Sequence, residues 1–270
     1  MGEMDQYLSG KLLYGDDFTL EQINAWYEDE KEAYANLGAN DSAKYFYEYQ
    51  ALDKIYFLNY LPKNIELTNV LGIGSAYGHE FLPLIDQIKN LYIIEPSDQL
   101  VSEKLGTVIP KYSKPNINGK LDFEDNMFDM ITCFSVLHHI PNVSFVLSEV
   151  YRCLKPGGYL LLREPINSMG NWNEPRPGLT KRERGIPLQI FDQVIGDLKF
   201  DVINKKLGFC MTYFFQRRFQ FLFKKPIYSY SLYLKFDSIL SSIFSKNIVY
   251  HPKNKLQRIG PSYVYYLLRK

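Results

Sequence analysis

From Val70 to Pro165 the chain alternates short apolar runs, NVLGIG, LYIIEP, FDMITCFSV and GYLLLREP, with longer stretches of helical pattern. Apolar runs too short for helices and bounded by turn residues are strands buried on both faces. Strands of that kind, separated by enough chain for a crossover, belong to a parallel sheet. SFVLSEVYRCLKPGG supplies one crossover helix, ended by Pro156 and the Gly157, Gly158 pair. Two further strands, Phe200 to Phe209 and Ser262 to Leu268, are expected to close the sheet as a mixed one. The 270 residues suffice for one sizeable α/β domain with an appended region.

Upstream, FTLEQINAWYEDEKEAY begins a helix. Thr19 with Gln22 three residues on makes a capping box, Phe18 can staple to Ile23, and Ile23, Trp26 and Tyr27 form an apolar face. A second helix is expected from Asp41 through Tyr49, Leu52 and Leu58 until Pro62 stops it. The expected organisation is residues 1–65 as an N-terminal helical cap, 66–210 as the core, 211–258 as an aromatic and basic insertion, and 259–270 as the closing strand.

Composition excludes several classes. A formal net charge of +1 gives no electrostatic footprint for nucleic acid. Hydrophobic residues at 46% and charged ones at 23% are the balance of an ordinary globular chain, and no run reaches the roughly 18 apolar residues of a spanning helix. MGEMDQYLSGKLLYGDD lacks the basic flank and apolar core of a signal peptide. Cys133, Cys153 and Cys210 are odd in number and lie in apolar surroundings, which points to buried thiols in a reducing compartment. A cytoplasmic protein is expected. His79 and His251 have no partners at metal-ligand spacing and no C-x-x-C pair occurs, so no metal is expected.

The turn VLGIGSAYGHE sets the ligand. Its glycines, Gly72, Gly74 and Gly78, do not follow the dinucleotide spacing G-x-G-x-x-G, and no phosphate-cradling loop ending in Lys-Ser or Lys-Thr occurs. Glu95 ends the next strand, where a carboxylate can accept both hydroxyls of a ribose. A ribose ligand without a phosphate cradle implies a nucleoside carrying something other than a pyrophosphate.

Four blocks in order, the glycine turn, IIEPS, LDFEDNMFDMITCFSVLHHIPN and LKPGGYLLLREP, resemble the class I S-adenosylmethionine-dependent methyltransferases over about Val70 to Pro165. The resemblance implies a Rossmann-like seven-stranded mixed sheet flanked by helices, with N-terminal helices and an inserted cap. It implies S-adenosylmethionine as cofactor and S-adenosylhomocysteine as product, held by Gly72, Gly74, Ser75, Gly78, Glu95, Pro96, Leu121, Asp122, Phe134 and Ser135. Two departures stand out. Gly72 occupies the position where the family commonly has an acid near the methionine ammonium, so another acid is expected to do that work, and Ala76 replaces the family's central glycine.

A hydroxyl acceptor must lose a proton as it is methylated, which calls for a base. His138 and His139 follow FDMITCFSV at the end of the sheet where ligands sit, and Glu164 ends LLLREP at the same rim; these are the candidate catalytic groups. The loop from Asn167 to Pro187 carries Arg176, Lys181, Arg182 and Arg184, candidates for an anionic group on the acceptor. The expected reaction is O-methylation of a small polar acceptor. The arrangement also resembles methyltransferases of bacterial surface-polysaccharide pathways, which implies a sugar, nucleotide-linked sugar or other phosphorylated precursor. N-methylation of an amine and a non-catalytic cofactor-binding partner are the alternatives. YFFQRRFQFLFKK, Tyr213 to Lys225, packs as a cap or touches a membrane surface, and a homo-oligomer is compatible with the chain.

Overall fold

A computed structural model describes residues 3–35, 46–172, 174–176 and 178–270. Before the sheet come α1 (Glu3–Leu8), α2 (Leu20–Ala35), α3 (Gln50–Tyr56) and a 3-10 turn, Leu58–Tyr60. The capping box forms as the sequence demands. Gln22 Oε1 accepts from the Thr19 N–H at 2.9 Å, and the Gln22 N–H reaches Thr19 Oγ1 at 3.4 Å. Of the expected second helix, the Asp41 start lies outside the described residues, and among residues 46–62 the α-helix runs from Gln50 to Tyr56.

Seven strands follow: β1 (Leu67–Ile73), β2 (Ile88–Ile94), β3 (Lys111–Ser113), β4 (Phe128–Phe134), β5 (Leu154–Pro165), β6 (Asp201–Gly208) and β7 (Tyr263–Arg269). They lie in the order β3-β2-β1-β4-β5-β7-β6. β7 runs antiparallel to both neighbours, and every other pair is parallel. This is the seven-stranded mixed sheet of the class I methyltransferase fold. The three-residue β3 was not legible because KYS has no apolar run of its own. Between β1 and β2, where a crossover helix is expected, the chain makes 3-10 turns over His79–Gln87. Pro83 explains this, since it lacks the N–H that a regular helix interior needs.

Helix α4 (Val143–Cys153) is the crossover read from SFVLSEVYRC. LKPGG, expected to terminate it, instead opens β5: Leu154 pairs with Phe128, Tyr159 pairs with Met130, and the intervening residues bulge out at Gly157, whose φ is +82°. Helices α5 (Leu188–Asp197), α6 (Thr212–Phe219) and α7 (Ser231–Ile243) complete the chain, the last two between β6 and β7.

Strand alternation divides the core in two. Val264, Tyr266 and Leu268 of β7 and Leu160 and Leu162 of β5 face one side with Val146, Leu147 and Val150 of α4 and Phe191 of α5. Tyr265, Leu267 and Leu161 face the other side with Leu52, Tyr56 and Phe57 and with Leu234 of α7. Each fully buried side chain of this kind contributes about 1.5–3 kcal/mol relative to exposure. Cys133, Cys153 and Cys210 are buried and free, as expected.

Candidate functional site

A cavity of 350 Å³ opens at the carboxyl ends of β1, β2 and β4, where the strand order reverses direction. Its size lies in the range of about 300–1,000 Å³ typical of small-molecule sites, and its place is the switch point where open parallel sheets bind ligands. The wall includes Gly74, Ala76, Glu95, Leu121, Ser135 and His139.

The glycine turn shapes one side. Gly74 takes φ +62°, and a Cβ there would sit 2.5 Å from Val136 Cγ2, so no side chain fits. Ala76 adopts a positive φ of 46° despite its methyl group, which aims its N–H at Glu95 Oε2, 2.9 Å away. The Ser97 N–H donates to Glu95 Oε1 at 3.0 Å. Burial pushes the Glu95 carboxyl up from its usual range while these two amides pull it back. Each carboxylate oxygen accepts one amide and retains a second lone pair, the capacity a diol requires.

Of the residues the resemblance assigns to the cofactor, Gly74, Glu95, Pro96, Leu121 and Ser135 are on the cavity wall, and Gly72, Ser75, Gly78, Asp122 and Phe134 lie behind or beside it. Gly72 is within β1, where any side chain would collide with the Ser75 hydroxyl. An acid does lie close by: Glu80 is buried and bonded to the Ser75 side chain, and burial raises its carboxyl to about 7.

The two histidines diverge. Glu164 is fully buried, and its Oε1 accepts from the N–H groups of Val136 and Leu137 at 2.7 and 2.8 Å. His138 Nδ1 lies 2.8 Å from Glu164 Oε2, and its Nε2 lies 3.5 Å from Glu183 Oε1. Burial lowers the His138 pKa, but the two carboxylates overcome it and raise it to about 9. Glu183, raised by burial, is drawn down to about 2 by the histidines and the Thr180 N–H. His138 is thus an imidazolium clamped between carboxylates, away from the cavity wall. His139 is on the wall, with Nδ1 2.9 Å from Oε2 of the buried Glu30 of α2. Trp26 Nε1 donates to the His139 carbonyl at 2.7 Å and so holds the backbone there.

Glu30 escaped the sequence reading, although a signal was present: it follows Trp26 by four residues and so falls on the apolar face of α2. Glu183, an acid set among the bases of the 167–187 loop, packs against His138. His138, His139 and Glu183 also bring ligand atoms within 4.8 Å of one another, a set no sequence spacing shows. The His138 proton supplies the positive charge that holds these carboxylates together.

The four bases of the 167–187 loop engage protein partners and are not on the wall of the 350 Å³ cavity. Arg176 donates to the carbonyls of Met169, Thr180, Lys181 and Glu183. Lys181 and Arg182 pair with Asp29 at 2.8 and 2.7 Å. Arg184, fully buried, donates to the carbonyls of Tyr14, Leu137, Ile140 and Pro141. Arg176 and Lys181 also line a second, more open depression with Trp172. Arg163 points to the face opposite Glu164 and pairs with the buried Asp53 at 3.1 Å.

Residues 71–162 match the methyltransferase domain family. That match covers 92 of the 270 residues. Over 65 residues the chain is 38% identical to the phthiotriol/phenolphthiotriol dimycocerosates methyltransferase 1 of Mycobacterium ulcerans, covering 23% of this chain and 24% of that one. Over 91 residues it is 31% identical to the sterol 24-C-methyltransferase of Saccharomyces cerevisiae, covering 34% and 23%. The chain thus spans about a quarter of the length of these curated relatives. The crystal structure of an S-adenosylmethionine dependent methyltransferase from Mesorhizobium loti superposes with a TM-score of 0.52 at 13% identity, covering 83% of this chain and 97% of that one. The likeness to that structure is one of fold, and it takes in strands on both sides of the matched residues.

Proposed function

We propose that the chain is an S-adenosylmethionine-dependent methyltransferase that methylates an acceptor hydroxyl, with His139 as the base. The observation that carries this reading is one cavity walled by both Glu95 and His139, with Glu30 behind the imidazole. The donor set fits the cofactor: Glu95 would hold the ribose hydroxyls, and Ile94 and Leu121 offer apolar surface for a base. When bound, S-adenosylmethionine supplies a methyl group on a sulfonium that is already an activated leaving group.

The chain's own contribution is alignment and proton removal. Glu30 orients the imidazole and stabilises the charge it gains, so the ring nitrogen turned from Glu30 takes the acceptor proton. General-base help of this kind is worth about 10²–10⁴ in rate. Trp26, Tyr27 and Ile140 line the same cavity and exclude water from the acceptor side.

An acceptor with an apolar body suits these walls, and relatives named for a phthiotriol and a sterol support that class. A sugar precursor of a surface polysaccharide is the second reading, favoured by the Trp26 and Tyr27 rings, on which a sugar face can pack. Calorimetric titration with S-adenosylhomocysteine tests the cofactor site: binding lost in Glu95→Ala supports it, and no binding to the folded wild type sinks it. Turnover with sterol, quinol and sugar acceptors then separates the two acceptor classes.

A further inference from the structure

Helix α7 carries two stripes. Leu234, Asp237 and Ser241 face inward and are buried. Leu232, Phe236, Ile239 and Ile243, at helical spacing of four, three and four residues, face outward and are exposed. Beside them the exposed Tyr213, Phe214 and Phe219 of α6 and the 3-10 turn residues Phe221 and Leu222 extend the apolar surface. Ring contact of Phe215 with Phe236, centroids 5.9 Å apart, joins the two helices. The cap is firmly mounted. Asp237 accepts from the N–H groups of Phe209 and Cys210 and from the Thr212 hydroxyl at 2.7–3.0 Å.

The charges are of one sign. Residues 211–250 contain six bases, Arg217, Arg218, Lys224, Lys225, Lys235 and Lys246, and one acid, the buried Asp237. All six bases are exposed. In a chain whose net charge is only +1, this is a local concentration. An apolar surface this broad and rimmed by bases is unusual on a monomeric protein and marks an interaction site.

We infer that the α6–α7 cap docks on an anionic lipid surface, its outer apolar stripe seated among the acyl chains and its bases against the headgroup phosphates. Charge selects this occupant: a second copy would oppose six cations with six more, whereas an anionic leaflet neutralises them. No helix among the described residues is long and apolar enough to cross a membrane, so the attachment is to the surface. The inference concerns residues that are not on the cavity wall, and it does not require the proposed reaction.

Co-sedimentation of the full chain with phosphatidylcholine vesicles, with and without phosphatidylglycerol, tests it. Binding is expected only with phosphatidylglycerol, weakening as salt rises. Arg217→Glu with Arg218→Glu is expected to lower it at least about 25-fold, at about fivefold per base lost. Leu232→Ser with Ile239→Ser is expected to lower it about tenfold or more by removing apolar seating. Both double variants should keep the wild-type melting temperature and S-adenosylhomocysteine binding, which shows that the fold is intact. Equal binding to both vesicle types, or variants that bind like wild type, overturns the inference. So does a dimer in sedimentation equilibrium that Leu232→Ser with Ile239→Ser dissociates, because a second copy then covers the stripe.

Discussion

Helices α4 and α7 are of similar length, 11 and 13 residues, and both are amphipathic. Yet α4 turns Val143, Val146, Leu147 and Val150 into the core, while α7 leaves Leu232, Phe236, Ile239 and Ile243 outside. The difference is position. α4 crosses the sheet face between β4 and β5, so its stripe has a sheet to cover. α7 sits in the excursion between β6 and β7, where one face suffices to anchor it and the second meets no cover among the described residues. An apolar stripe in a sequence therefore reports that a surface will be covered, and the topology decides whether the cover is this chain.

The sharpest way to break this contrast is to alter both regions and compare. The largest effect belongs to the cavity: His139→Ala should lower turnover by about 10²–10⁴ with S-adenosylhomocysteine affinity retained, measured by single-turnover kinetics. Glu30→Gln should show a smaller fall with a displaced pH profile, as befits a positioning residue. In the core, Leu147→Ala should cost about 2–5 kcal/mol in denaturant unfolding, because it opens a cavity under the sheet.

A pH scan comes next in size. His138 has a folded pKa of about 9, raised above its ordinary 6.5. Its contribution to stability is present in full below about 6.5 and lost as pH rises through about 9. The wild-type melting temperature should fall across that window, and His138→Gln should flatten this component of the fall. The smallest effect is Ile239→Ala, within about 0.5 kcal/mol of wild type because its side chain is exposed. A core-sized loss there would mean that α7 is covered in solution and would break the contrast.

Strands β1, β2, β4, β5 and β7 were legible because each holds an apolar run bounded by turn residues, and the glycine turn with Glu95 was legible because backbone approach and a strand-end carboxylate leave local signatures. What joins distant segments was not legible. Glu30 reaches His139 from 109 positions away; of the loop bases, Lys181, Arg182 and Arg184 find partners on other segments, among them Asp29 and the carbonyls of Leu137 and Ile140, while Arg176 bonds to carbonyls of its own loop. Charge patterning along a chain shows which residues seek a partner and is silent on which partner the fold delivers. The crossover between β1 and β2 failed for a local reason, Pro83, that was visible in the sequence.

The three buried thiols offer an internal clock on the same contrast. Cys133 lies in β4 beneath the cavity, and Cys210 lies at the root of the cap beside Asp237. Burial raises both thiols, Cys210 to about 11, so neither is a ready thiolate and each reacts with an alkylating reagent only when its surroundings open. Labelling kinetics resolved by residue thus time the opening of the central sheet and of the Asp237-anchored root of the cap in one native molecule, and vesicle contact that steadies the cap should slow the clock at Cys210 alone.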